Sequence, residues 1–129
     1  MIDLKSYKFG VIGLGWISNE FCEALTVVPK AELYAVGSRS IIKANDFKKK
    51  HNATVAYGSY KELFNDPEID IVYIGTPMSS HFQNMMDILD KGKHIICEKA
   101  FTLNAKEASI IKEKANALNL FVMEALWTR

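Results

Sequence analysis

Short apolar runs rich in β-branched and aromatic residues alternate with longer stretches of helical spacing, and this alternation constrains the fold more than any other feature. The strand-like runs are 9–12, 32–36, 54–56, 71–74, 94–97 and 120–123. Between them, 16–28 has helical apolar spacing and ends at Pro29, and 41–51 forms a lysine-rich helical stretch. Ser59-Tyr60-Lys61-Glu62 has the form of a capping box that opens a short helix, stopped by Asn65-Asp66-Pro67. The stretch 79–91 reads as a helix closed by Gly92, and Asn104 opens another. Strands joined through helices by short connections imply right-handed crossovers. The expected fold class is therefore α/β: a doubly wound parallel sheet of about six strands with helices on both faces. Ile71-Val72-Tyr73-Ile74, apolar on both faces, belongs near the centre of that sheet.

No internal repeat or linker divides the 129 residues, so 1–129 is read as one domain. The formal net charge is +1, and Lys48-Lys49-Lys50 is the basic run, best placed at a solvated helix end. The expectation is no nucleic-acid partner and no membrane partner. No apolar run reaches the roughly 18 residues of a membrane helix, and 1–8 lacks a signal-peptide core. Cys22 and Cys97 match no zinc or redox spacing and sit among apolar neighbours. They are expected to be buried free thiols in a cytoplasmic protein. His51 and His94 have no clustered partners, so no metal site is expected.

Gly13-Leu14-Gly15-Trp16-Ile17-Ser18 follows the first strand and opens the first helix. Gly13 permits the tight turn, and Gly15 removes the side chain that would block a pyrophosphate. The backbone amides where Trp16 and Ile17 begin the helix can then meet phosphate charge. A third glycine or alanine would bring helix and strand close; Ser18 stands there as a small departure. This is the loop of a Rossmann-type dinucleotide-binding domain.

The end of the second strand distinguishes the two pyridine dinucleotides. A carboxylate there would accept from both ribose hydroxyls of NAD and repel a 2′-phosphate. This chain has Gly37-Ser38-Arg39-Ser40 instead. Arg39 can stack on adenine and pair with the phosphate, and Ser38 can donate to it, which favours NADP over NAD. A methyltransferase on the same fold would want an acidic residue at this position and fits poorly.

The remaining motifs fall at the carboxyl ends of later strands: Gly75-Thr76-Pro77 with Ser80-His81 beyond it, Cys97-Glu98-Lys99-Ala100, and Glu124 to Arg129. GLGWIS at 13–18, GSRS at 37–40, YIGTPMSSH at 73–81, GKHIICEKAFTLN at 92–104 and MEALWTR at 123–129 occur in an order and spacing that resembles the Gfo/Idh/MocA oxidoreductases. The resemblance spans essentially the whole chain but only the amino-terminal domain of that family. It implies that Thr76 and Pro77 line the nicotinamide–ribose side of a cleft. It also implies that Glu98 and Lys99 match the family's Glu-Lys-Pro signature, with Lys99 as the catalytic residue reaching substrate and nicotinamide ribose. An ammonium there can orient a substrate oxygen and stabilise negative charge developing on it. Ala100 replaces the signature proline, removing the ring that fixes φ.

Imidazole as a group suits acid–base chemistry, but for His81 a structural or cofactor-edge role is expected ahead of catalysis. Trp16 and Trp127 can cover the cofactor or fill the cleft wall, Trp127 being the better placed, and Arg129 closes the same motif. The family's second domain supplies most of the substrate pocket and the main oligomer contact. This chain is therefore expected to be the cofactor half of a longer, homo-oligomeric enzyme acting on a sugar, polyol or related hydroxyl–carbonyl pair. Ending at Arg129, it is expected to be a designed or proteolysed piece, inactive by itself. The competing expectation is a non-catalytic dinucleotide-binding sensor or regulator.

Overall fold

The computed structural model describes residues 6–125. In chain order the elements are β1 (Tyr7–Ile12), α1 (Trp16–Leu25), β2 (Ala31–Gly37), α2 (Ile41–His51), β3 (Val55–Tyr57) and α3 (Tyr60–Phe64). They continue with β4 (Ile71–Ile74), α4 (Met78–Asp90), β5 (His94–Glu98), α5 (Ala105–Ala117) and β6 (Val122–Ala125). The six strands form one sheet in the order β3-β2-β1-β4-β5-β6, and every neighbouring pair is parallel. The expected doubly wound Rossmann-type sheet is thus present.

Two apolar layers sandwich the sheet. On one face Cys22 of α1 and Ala44 and Phe47 of α2 pack with Val11, Val36 and Tyr73. On the other, Leu63 and Phe64 of α3, Met85, Ile88 and Leu89 of α4, and Ile111 and Ala115 of α5 pack with Ile12, Val72, Ile74 and Ile95. Consecutive strand residues point to opposite faces, so Val11 and Ile12 enter different layers. The β4 residues Val72, Tyr73 and Ile74 are fully buried, as an apolar run on a central strand requires.

Some element ends differ from those read in the sequence. Helix α1 stops at Leu25 and not at residue 28, because Thr26, Val27 and Val28 each donate to the carbonyl three residues back. The tightened turn leaves Val27 82% exposed, so its apolarity carries no packing signal. Strand β3 starts at Val55, one residue late. Helix α4 starts one residue early, at Met78, with Pro77 as its N-cap. Strand β6 begins two residues late, because the Leu120 N–H closes the end of α5 on the Ala115 carbonyl at 2.8 Å while Asn119 takes φ 58°. Leu120 therefore belongs to the helix terminus.

Candidate functional site

The chain leaves β1 toward α1 on one face of the sheet and leaves β4 toward α4 on the other. Strand order reverses between these neighbours, and a crevice opens at their carboxyl ends. Gly13 follows β1 with φ +76°, and a Cβ there would run into the Thr76 backbone nitrogen and the Gly75 carbonyl group. A Cβ on Gly75 would strike the Ser18 hydroxyl. That hydroxyl is fully buried and donates to the Gly13 carbonyl at 2.5 Å. Ser18 is thus more than a tolerated small residue: it ties α1 to the turn that precedes it. Gly75, whose N–H donates to Ile12 O at 2.9 Å, is the glycine this contact requires.

The helix termini divide into two kinds. Ser40, Ser59 and Asn104 cap α2, α3 and α5, accepting from the N–H groups of Lys43, Glu62 and Glu107. Helices α1 and α4 begin at Gly15 and Pro77 with no side-chain cap and no acidic residue in the first turn. These are the two helices that start at the crevice. A Cβ built on Gly15 meets no atom within 4 Å, so space lies over the amino end of α1. The backbone dipole there favours an anion, and a bare glycine N-cap lets one approach. Trp16 is 64% exposed on the same turn, and Ile17 is half-buried.

Across the crevice, Arg39 is exposed just beyond β2. Ser38 is buried, with its Oγ accepting from the Ser40 N–H at 3.1 Å, which shapes the turn that presents Arg39. A cleft of about 430 Å³ brings Arg39 together with Thr76 and Pro77, as well as with Tyr60, Ser79, Ser80, Gln83 and Asn84. Ser79 and Ser80 belong to the motif at 73–81, whereas Tyr60, Gln83 and Asn84 carry no sequence signal for this site and are recognised only once α3 and α4 are placed. A neighbouring cavity of about 370 Å³ shares Tyr60 and Asn84 but is lined by two aspartates and two lysines. It offers a diphosphate no net attraction. Inside the first cleft, Thr76 Oγ1 donates to Asn84 Oδ1 at 2.7 Å, fixing the turn on α4.

At the end of β5, Glu98 is buried and its carboxylate accepts from the Tyr73 hydroxyl. Phe21 of α1 stacks on Tyr73 with ring centroids 3.8 Å apart. Lys99 is exposed, and the Lys99–Ala100 peptide is cis. His81 is 1% exposed, with Nε2 at 2.8 Å from Thr76 O and Nδ1 at 2.8 Å from Ala100 O. Its ring is therefore spent on protein carbonyls. The Phe101 N–H donates to Glu124 Oε2 at 3.1 Å, a contact the sequence did not suggest. Trp127 and Arg129 lie outside the described residues. Among the described residues no cluster of His, Cys, Asp and Glu could hold a metal, and no helix is long and apolar enough to cross a membrane.

The family model for the oxidoreductase family with an NAD-binding Rossmann fold, Gfo/Idh/MocA, matches residues 7–126. The chain belongs to that family. As a Gfo/Idh/MocA chain it is 43% identical to the NADP(+) D-xylose 1-dehydrogenase of Hypocrea jecorina, over 95% of its own length and 34% of that enzyme. It is 39% identical to the trans-1,2-dihydrobenzene-1,2-diol dehydrogenase of Xenopus tropicalis, covering 95% of this chain and 38% of the relative. Among solved structures, KijD10, a 3-ketoreductase from Actinomadura kijaniata in complex with NADP, superposes with a TM-score of 0.89 at 28% identity. That match covers 93% of this chain and 38% of the other. This Gfo/Idh/MocA chain thus spans little more than a third of the length of the proteins it resembles.

Proposed function

We propose that residues 1–129 form the dinucleotide-binding domain of an NADP-preferring oxidoreductase acting on a sugar, polyol or related hydroxyl–carbonyl pair. The observation that carries the reading is the meeting of the two uncapped helices, α1 and α4, at one crevice, with open space over Gly15. Gly13, Gly15 and the first-turn amides at Trp16 and Ile17 hold the diphosphate. Arg39, with Ser38 behind it, takes the adenosine end and its 2′-phosphate. Thr76 and Pro77 form the wall on the ribose side. The relative named for NADP(+) and the ketoreductase bound to NADP support this choice of dinucleotide.

The bound dinucleotide supplies or accepts a hydride. The chain contributes an ammonium at Lys99 that orients the substrate oxygen and steadies its negative charge. Glu98, held by Tyr73, keeps that loop at the sheet edge. The rest of the substrate pocket, and the contact that makes the parent enzyme a homo-oligomer, belong to a second domain outside these residues. A cytoplasmic setting accords with two buried free thiols.

Titration of NADPH and NADH, followed by intrinsic tryptophan fluorescence, tests the reading. NADPH is expected to bind more tightly, and Arg39→Ala to cost it about tenfold in affinity while changing NADH little, as loss of a charged hydrogen bond implies. Equal affinities untouched by Arg39→Ala would overturn the preference for NADP.

A further inference from the structure

Lys99 is exposed, while the residues around it are each held by a different element. Glu98 is held by Tyr73 of β4, the Ala100 carbonyl by His81 of α4, and the Phe101 N–H by Glu124 of β6. The lysine stands on backbone that others fix. His81 also reaches the neighbouring turn, its Nε2 lying 2.8 Å from Thr76 O.

We propose that His81 is the positioning residue for Lys99: one buried imidazole fastens the β4–α4 turn to the β5–α5 loop and so sets the distance between the dinucleotide cleft and the lysine. The inference rests on the oxidoreductase reading above. Thr76 lines the cleft with Arg39, and Ala100 is the residue next to Lys99, so the ring spans the two halves of the site. Both of its nitrogens face carbonyl oxygens, which only accept: a ring with one N–H donates to one of them, and a ring that holds both carries a hydrogen on each nitrogen. Its burial leaves neither nitrogen to touch substrate or cofactor, which separates this role from acid–base catalysis. Displacing a reacting group by an ångström is enough to cost a large factor in rate, so a clamp of this kind governs turnover more than binding.

The test uses protein expressed from the complete reading frame, with NADPH and NADH against a panel of polyols and sugar carbonyls. Lys99→Ala sets the scale of full loss. His81→Phe, which fills the site without a donor, is expected to lower kcat roughly tenfold or more while the dinucleotide Kd stays within about threefold. His81→Gln keeps a donor for one of the two carbonyls and is expected to fall between His81→Phe and wild type. In nitrogen-15 spectra the amides of Lys99, Ala100 and Phe101 are expected to shift in both variants while those of Gly13 to Ile17 hold still. An unchanged kcat in His81→Phe, or in His81→Gln should the first not fold, would overturn the proposal, as would unmoved loop amides. Wild-type protein that binds dinucleotide but turns over nothing would instead remove the oxidoreductase reading, and the amide shifts would still decide whether His81 places Lys99.

Discussion

Ser18 and Gly75 lie 57 positions apart in the sequence and touch at the floor of the crevice. The Ser18 hydroxyl occupies the place a Cβ on Gly75 would need, and it satisfies the Gly13 carbonyl at the same time. Gly75→Ala is therefore expected to destabilise by about 1–3 kcal/mol, the usual cost of overpacking. In a Ser18→Ala background the same change costs less, because its closest obstacle is gone. A double-mutant cycle by chemical denaturation should show a coupling above about 0.5 kcal/mol, whereas simple additivity would mean the two residues do not contend for that space. None of this was legible beforehand. Ser18 read as a tolerated substitute in a glycine pattern and Gly75 as part of a turn, since the contact between them exists only once β1 and β4 are neighbours. A structural or cofactor-edge role was expected of His81, but its partner Ala100, like Glu124's partner Phe101, lies on another loop and escaped for the same reason.

At the scale of elements the sequence spoke more clearly, because caps and periodicity are local. The Ser59–Glu62 pair forms the expected N-terminus, with the Glu62 N–H donating to Ser59 Oγ at 3.2 Å. The box is reciprocal only in part, since the Glu62 carboxylate accepts from the Ser59 hydroxyl and not from the backbone. Helix α5 has a fuller version: Asn104 Oδ1 accepts from Glu107 N at 2.9 Å, and Glu107 Oε1 accepts from Leu103 N at 3.2 Å. Asn104→Ala is expected to lower stability by about 1 kcal/mol, read as a shift in denaturation midpoint with unchanged slope. A loss below about 0.3 kcal/mol would show that packing of Ile111 and Ala115, not the cap, determines where α5 begins. The element ends that went astray have causes periodicity cannot carry. Val27 and Val28 extend the apolar pattern of α1 but lie in a turn, and Leu120 is claimed by the end of α5 before β6 starts.

For the molecule as a whole, alkaline pH sets burial of three groups against one another. Desolvation pushes the Cys22 and Cys97 thiols up to about 12, from an ordinary value of 9.0. Their neutral forms stabilise the fold fully below that ordinary value, and this contribution is lost as pH rises toward about 12. Lys93 works the other way. Buried between the carbonyls of Asp66 and Ile69, at 2.6 and 3.1 Å, its ammonium titrates below the ordinary 10.5, chiefly through desolvation. The unfolded chain then holds the extra proton, so stability gains as pH climbs through that interval. Two thiols with large displacements outweigh one lysine, and stability is expected to fall between about pH 8 and about pH 10.5. Denaturation midpoints of wild type and of a Cys22→Ala, Cys97→Ala double variant check this. The variant should show the shallower fall, and equal slopes would mean that neither thiol stays protonated through burial.

The central claim is that the amino end of α1 receives a diphosphate through the space over Gly15, and Gly15→Val examines it by filling that space. The residue has an ordinary φ of −103°, and its Cβ position touches nothing, so the fold should lose no more than about 1 kcal/mol from altered N-cap preference. Isothermal titration of NADPH into this variant should show affinity reduced at least tenfold, roughly 1.4 kcal/mol or more, with its unfolding transition nearly that of wild type. NADPH binding as tight as in wild type, by an equally stable Gly15→Val protein, would contradict the account.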